Sequence, residues 1–194
     1  MIIGSHNSWS YLRPRRWWMR LIGFTARCQR VDVYDQFDKY DVRCFDLRIR
    51  FDGLGNVLLC HGIVEYECTY YDLVGMLEWL NDRRSGVVIR LLLDLRGVRK
   101  SEWDEQRRLF TSFYNGVLRC FKNLQFILGR ELPTWHKLIL PLMDGDVDER
   151  YSSVRSPKWI DDWFPWLYAR LNNHKNLQEG TESDIMLIDF VDIV

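Results

Sequence analysis

Nine consecutive residues, Val87-Val88-Ile89-Arg90-Leu91-Leu92-Leu93-Asp94-Leu95, include only two polar side chains. A run this short cannot span a bilayer, which takes about 20 residues. It also lacks the in-out alternation of a strand with one wet face. Opened by Gly86, it reads as a strand buried on both faces, the environment of a parallel sheet covered by helices.

The rest of the chain supplies such a sheet. Residues 1–8 read as a short strand ending in a polar turn, and 9–25 as a basic, aromatic loop or helix start. Val31, Tyr34, Phe37 and Tyr40 follow at helical spacing. A second strand covers 42–51, and Asp52-Gly53-Leu54-Gly55-Asn56 turns it into a third at 57–60. A helix is expected over 70–81, with Tyr70, Leu73, Val74, Leu77 and Leu80 on one face, and another over 102–121. Further strands are expected at 124–128, 137–143 (ending in Asp144-Gly145-Asp146) and 184–191, with a helix at 159–172 between the last two. Alternating strands and helices predict an α/β fold with right-handed crossovers and polar chemistry at the strand ends. Six or seven strands are too few for the usual barrel of ~250 residues. A compact, irregular TIM-like (β/α) barrel with fewer helices fits better, as a single domain over the 194 residues.

Lys+Arg and Asp+Glu are balanced at 27 each, so no global field argues for a nucleic-acid partner. The five cysteines, at 28, 44, 60, 68 and 120, include no C-x-x-C pair. Their spacing argues against zinc and against a disulfide framework, and they read as small buried thiols in a reducing compartment. No signal peptide is read before the first strand. A cytoplasmic or membrane-peripheral location is expected, or a secreted one if a leader has been removed.

Three segments carry chemistry: Ile2-Ile3-Gly4-Ser5-His6-Asn7-Ser8, Arg43-Cys44-Phe45-Asp46-Leu47-Arg48 and Leu58-Leu59-Cys60-His61-Gly62. Each brings a polar group to the end of an apolar, strand-like run, and together they hold two imidazoles, a carboxylate and a guanidinium. That set suits phosphoryl transfer. One histidine takes a proton from the nucleophile, the other gives one to the leaving group, and arginine stabilises charge on the phosphate oxygens.

With Gln29, Gln36 and Phe37, and with the closing Leu187-Ile188-Asp189-Phe190-Val191, these segments resemble the phosphatidylinositol-specific phospholipase C catalytic (X) domain family in order and spacing. The likeness covers the first half of the chain, and residues 100–180 carry no matching motif. It implies an irregular (β/α) barrel that cleaves a phosphodiester through a cyclic phosphate. His6 would be the general base for a ring hydroxyl beside the phosphate. His61 would be the general acid, later activating water to open the ring. An internal hydroxyl avoids the entropy of recruiting a nucleophile. Asp189, on a last strand that neighbours the first in a closed barrel, is the candidate partner that fixes the His6 tautomer.

Phe45-Asp46-Leu47-Arg48 resembles the metal-free bacterial members, in which arginine stands where eukaryotic members hold calcium. The pair His6-Asn7 resembles the eukaryotic pattern, in which the asparagine ligates calcium. A guanidinium beside the phosphate would repel Ca²⁺ and fill its volume, so no cofactor is expected, with calcium as the alternative. Asn7 would then hydrogen-bond substrate or a histidine. Without a carboxylate partner, His61 would be a weaker acid. Asp94 and Arg90 are placed at the same mouth, where the family uses a carboxylate for calcium or the polyol. The structural alternatives are an Asp46–Arg48 salt bridge, a buried Arg90–Asp94 pair and, for Asp189, a plain strand-end carboxylate. His136 and His174 read as ordinary residues.

Residues 13–24 combine Arg13, Arg15, Arg16 and Arg20 with Trp17, Trp18, Met19, Leu21, Ile22 and Phe24. Such a basic, tryptophan-bearing rim suits peripheral contact with anionic lipid. Its alternative is a helix that packs both tryptophans onto the barrel. Trp159, Trp163 and Trp166, at spacings of four and three, are expected in the core. The expected substrate is an inositol phospholipid or related polyol phosphodiester. The rival functions are a glycerophosphodiester or sphingomyelin phosphodiesterase, and a catalytically weak barrel that binds phosphoinositide.

Overall fold

The computed structural model describes residues 1–83, 86–129, 138–141, 150–151, 153–154, 156–182 and 184–193. In chain order the strands are β1 (Ile2–Ser5), β2 (Cys44–Phe51), β3 (Val57–His61), β4 (Val64–Glu65), β5 (Val88–Leu93), β6 (Gln125–Leu128), β7 (Leu138–Pro141), β8 (Arg150–Tyr151) and β9 (Asp184–Ile188). The helices are α1 (Met19–Ile22), α2 (Val33–Tyr40), α3 (Tyr70–Asp82), α4 (Trp103–Cys120), α5 (Lys158–Trp163) and α6 (Pro165–Glu179). His136 and the Asp144-Gly145-Asp146 turn lie outside the described residues.

Five strands form a parallel array in the order β9, β1, β2, β5, β6. The apolar run around Arg90 is β5, paired on both edges and buried, as its composition requires. The last strand lies beside the first, Ile2 opposite Ile185 and Ser5 opposite Ile188. Their contact is close because residue 4 is glycine: a Cβ there would fall 2.5 Å from the Leu187 side chain. The sheet departs from the expected topology in two ways. β7 runs antiparallel to β9 and carries β8, and β3 is an antiparallel addition to β2 that carries β4, so the described residues hold nine strands where six or seven were expected. Among the described residues the sheet does not close.

The pairing of β2 positions the site. β5 takes one edge of β2 from Cys44 to Ile49. On the other edge, β1 pairs with Cys44 and Phe45 while β3 pairs with residues 49–51 from the opposite direction. β1 and β3 therefore run toward each other along one edge of β2, and their C-terminal residues meet beside Asp46 and Arg48.

Helices cover the sheet through local signals. α3 starts on a capping box, Thr69 with Asp72, and buries Leu73, Met76, Leu77 and Leu80. Tyr70, expected on that face, is exposed, since it sits in the first turn beyond the sheet. α2 is capped by the Asp32 carboxylate and ends at Asp41 in the left-handed region. α4 clamps β2 through Gln106, whose amide bonds both the N–H and C=O of Phe51.

The tryptophan stripe is a correction. Trp159 and Trp163 are 57% and 59% exposed, and Trp166 is exposed as well. A spacing of four and three defines one face only along a continuous helix. Here α5 stops at Phe164 and α6 starts at Pro165, which cannot continue the hydrogen-bond ladder. Trp17 and Trp18 are not packed down either, at 72% and 39% exposure; Met19 is the buried anchor of α1. None of the five cysteines is in a disulfide. Cys28, Cys44 and Cys60 are buried as expected, whereas Cys120 is exposed. No helix among the described residues is long and apolar enough to cross a membrane.

Candidate active site

The His6 and His61 rings lie edge to face, with centroids 5.6 Å apart. His6 Nδ1 meets Asp189 Oδ1 at 2.7 Å, and Arg48 Nη2 meets His6 Nε2 at 2.6 Å. Both contacts are satisfied by a neutral ring that donates from Nδ1 to the carboxylate and accepts the guanidinium proton at Nε2. Arg48 Nε donates to Asp46 Oδ2 at 2.8 Å, so one planar fork spans Asp46 and His6.

Asp46 is the charge centre beneath. Its Oδ1 accepts from Arg90 at 2.6 Å, and its Oδ2 also takes the Asn7 N–H at 3.0 Å. Burial alone would raise this carboxyl. Arg48 and Arg90, with His6 and the Asn7 N–H, outweigh that effect and hold it well below the usual carboxylate range.

Asn7 is buried and left-handed (φ 44°), a conformation asparagine adopts more readily than most side chains. It turns the chain out of β1, and its Nδ2 is 3.5 Å from the Tyr66 hydroxyl. It therefore shapes the floor of the site. The turn is locked by Ser8, whose Oγ accepts the Asp46 N–H at 2.8 Å and meets Ser5 Oγ at 2.5 Å.

His61 ends β3 against the 26–28 loop, with Nδ1 3.0 Å from the Ala26 carbonyl. Gly62 follows in the left-handed region and donates its N–H to Asp94 at 2.8 Å. Burial, with Arg48, Arg96 and His6 nearby, pushes the His61 imidazole well below its ordinary 6.5. Asp94 would be raised by burial, but Arg96, Arg48 and the Gly62 N–H bring it down to about 2.

Among the sequence candidates, His6, His61, Arg48, Asp46 and Asp189 thus converge. Arg90 and Asp94 are buried like Asp46, His61 and Asp189, and they reach the cluster from beneath, through Asp46 and the Gly62 N–H. Arg90 sits under Asp46, and Asp94 holds the His61 turn together with the Arg96 guanidinium at 2.5 Å. Their shared strand face points inward, and an interior face must neutralise its charges in pairs.

Several residues of the arrangement carried no assigned role in the sequence. Gln29 Nε2 donates to the Ile188 carbonyl at 2.9 Å and the His6 carbonyl at 3.2 Å, tying β1 to β9. Tyr66 donates to Ala26 O at 3.0 Å, and Asn173 Nδ2 to Asp189 O at 2.7 Å. Phe190, just after Asp189, is left-handed (φ 48°), a strained geometry for a bulky residue, and its N–H is fixed on the Cys28 carbonyl. Buried polar residues beside matched motifs were the available signal for Gln29; Tyr66 and Asn173 offered none.

No family model and no curated protein matches the sequence. Solved structures do match in shape. The phosphatidylinositol-specific phospholipase C from Listeria monocytogenes is similar over 97% of this chain and 87% of its own, with 16% identity and a TM-score of 0.57. A mutant of the Staphylococcus aureus enzyme is similar over 97% of this chain and 84% of its own, at 13% identity and a TM-score of 0.63. A further S. aureus structure, solved for modulation of that enzyme's membrane binding, covers 80% of this chain and 62% of its own, at 15% identity and a TM-score of 0.51. The fold is accordingly an irregular, open α/β barrel of the TIM-like kind.

Proposed function

We propose that the chain is a metal-independent phosphodiesterase that cleaves an inositol phospholipid, or a related polyol phosphodiester, by histidine general acid–base catalysis. The observation that carries this reading is the single cluster of His6, His61 and Arg48, with Asp189 behind His6. His6 Nε2 takes the proton of a ring hydroxyl beside the phosphate, and that oxygen attacks phosphorus. The lipid alcohol leaves with a proton from His61, giving a cyclic phosphate. Arg48 swings its Nη2 from His6 to a phosphate oxygen while Nε stays on Asp46, which frees the base as substrate arrives.

The direct test is to incubate the chain with phosphatidylinositol vesicles and follow phosphorus NMR for a cyclic inositol phosphate. Turnover of glycerophosphodiesters or sphingomyelin in place of the inositol lipid would replace this reading with its rival. Enzymes of that rival kind hold a metal on carboxylates. Here Asp46, Asp94 and Asp189 are each engaged by arginine or histidine, which favours activity that survives a calcium chelator. Arg48→Lys is expected to lower kcat about 10²-fold or more, since a single ammonium cannot span Asp46 and the phosphate together. A rate within twofold of the parent would remove Arg48 from the mechanism.

A lipid surface as partner is supported by the rim. Ala26 lies against His61, and two residues earlier Phe24 meets Phe164 with ring centroids 6.0 Å apart. Trp159 packs edge-on to Phe164 at 5.9 Å. Phe24 thus joins Phe164 and Trp159, and the exposed Trp17 and Leu21 belong to the same basic 13–24 segment, in which Arg16 and Arg20 pair with Glu65 and Glu67. Replacing Trp17 or Trp163 with alanine is expected to weaken partitioning onto anionic vesicles by about tenfold. That follows from roughly 60 Å² of apolar surface at about 25 cal/mol per Å². Cleavage of a soluble short-chain diester should be unaffected, and unchanged vesicle binding would exclude the rim.

A further inference from the structure

Cys28 enters this site without a part in the chemistry above. Its Sγ lies 3.9 Å from His61 Nδ1, and one donor atom from each of His6, Cys28 and His61 falls within 4.8 Å of the other two. The three come from the end of β1, the loop before α2 and the end of β3, so no spacing along the chain could announce them. Two imidazoles and a thiol make a ligand set for a thiophilic d¹⁰ ion. Tetrahedral zinc, with Zn–N about 2.0 Å and Zn–S about 2.3 Å, holds its ligand atoms about 3.3–3.6 Å apart, so a contraction of up to about 1.5 Å completes the site.

Part of the outer shell that such ligands need is already built. His6 Nδ1 is held by the Asp189 carboxylate, a partner that fixes the tautomer of a metal-binding imidazole and leaves its lone pair on Nε2. On His61 the nitrogen 3.9 Å from Cys28 is Nδ1, which also meets the Ala26 carbonyl, so the ion has to displace that bond or the ring has to turn. Asp46 Oδ2 lies 3.9 Å from His6 Nε2 and adds negative charge nearby. Arg48 opposes a cation, since its Nη2 occupies His6 Nε2. An incoming ion has to displace that end of the fork, which limits affinity and makes the ion exclude the substrate-binding arrangement.

We propose that a thiophilic divalent cation, zinc foremost, binds His6, Cys28 and His61 and switches the site off. Binding turns the Cys28 thiol into a thiolate and releases its proton to solvent, while a water fills the fourth position. The inhibitory half rests on the phosphodiesterase reading; the ion site itself does not.

Cobalt(II) titrated into the chelator-treated chain should give a near-ultraviolet thiolate-to-cobalt charge-transfer band that saturates at one ion per chain. Cys28→Ser and Cys28→Ala, each checked for native circular dichroism, should abolish the band. In zinc-buffered assays on phosphatidylinositol the parent should lose activity. The Cys28→Ser chain should keep its basal rate and need at least about tenfold more free zinc for half inhibition. A parent chain with no thiolate band, or Cys28 variants that keep both band and zinc sensitivity, would overturn the proposal. If no phosphodiester is cleaved at all, the functional reading fails, and the cobalt band alone upholds or overturns the ion site.

Discussion

An Asp46→Asn chain is expected to be less stable than the parent by about 3–5 kcal/mol at neutral pH, the usual effect of removing one member of a buried ion cluster. Asp46 is the counter-charge that the buried Arg90 and the nearly buried Arg48 share, and it also takes the Asn7 N–H of the left-handed turn. The amide keeps the volume and removes the charge, so the loss reads electrostatics and not packing. The pH dependence has a definite sign. The folded carboxyl sits far below its unfolded value of about 3.9. Its contribution is therefore complete above about pH 4 and fades as pH falls through the folded value. The gap between parent and variant, measured by urea unfolding, should be constant from neutral pH down to about 4 and narrow below it. A gap under about 1 kcal/mol at neutral pH would show that other charges hold the arginines.

Removing either imidazole is the second large effect. His6→Ala and His61→Ala are each expected to lower kcat about 10²–10⁴-fold, the range for a positioned general acid or base. The two should differ in their pH profiles. His61 is neutral at pH 7 in the free protein, because burial and the adjoining arginines oppose a second positive charge. If it donates the leaving-group proton, its protonated fraction declines as pH rises through that lowered value. The alkaline limb of kcat/KM should then lie below 6.5. A bound phosphate monoanion offsets part of the arginine charge, so the limb of kcat should sit at higher pH. His61→Ala should flatten that limb. A kcat/KM profile level across about pH 5 to 8 would argue that His61 does not act as the acid.

How far the sequence carries can be judged from particular residues. His6, Arg48, His61 and Asp189 were legible because each ends or interrupts a strand of apolar residues, and strand ends are where this architecture puts chemistry. The buried run at 87–95 revealed its sheet for a similar reason, since nothing but double-sided burial tolerates so little polarity. The tryptophans at 159, 163 and 166 misled because periodicity presumes a continuous helix, and Pro165 breaks it. Arg90 and Asp94 were expected at the mouth, and the structure buries both beneath the cluster, on Asp46 and on the Gly62 turn. Alternation along a strand tells which side a residue faces, not how deep along the barrel axis it ends.

By itself, the order of residues determined most of the strands and helices, though not β4, β8 or the break at Pro165, and it set His6, His61 and Asp189 at strand ends and Asp46 and Arg48 within β2. Those are local properties, governed by a few neighbouring side chains and the period of the backbone. Only the tertiary structure decided that β1 and β3 approach head to head along one edge of β2. It likewise decided that Arg48 lies on His6 Nε2 and that Cys28 joins both histidines. Contacts of that kind come from strand register between segments far apart in the chain. Register is set by how the whole core packs, and no single stretch contains it.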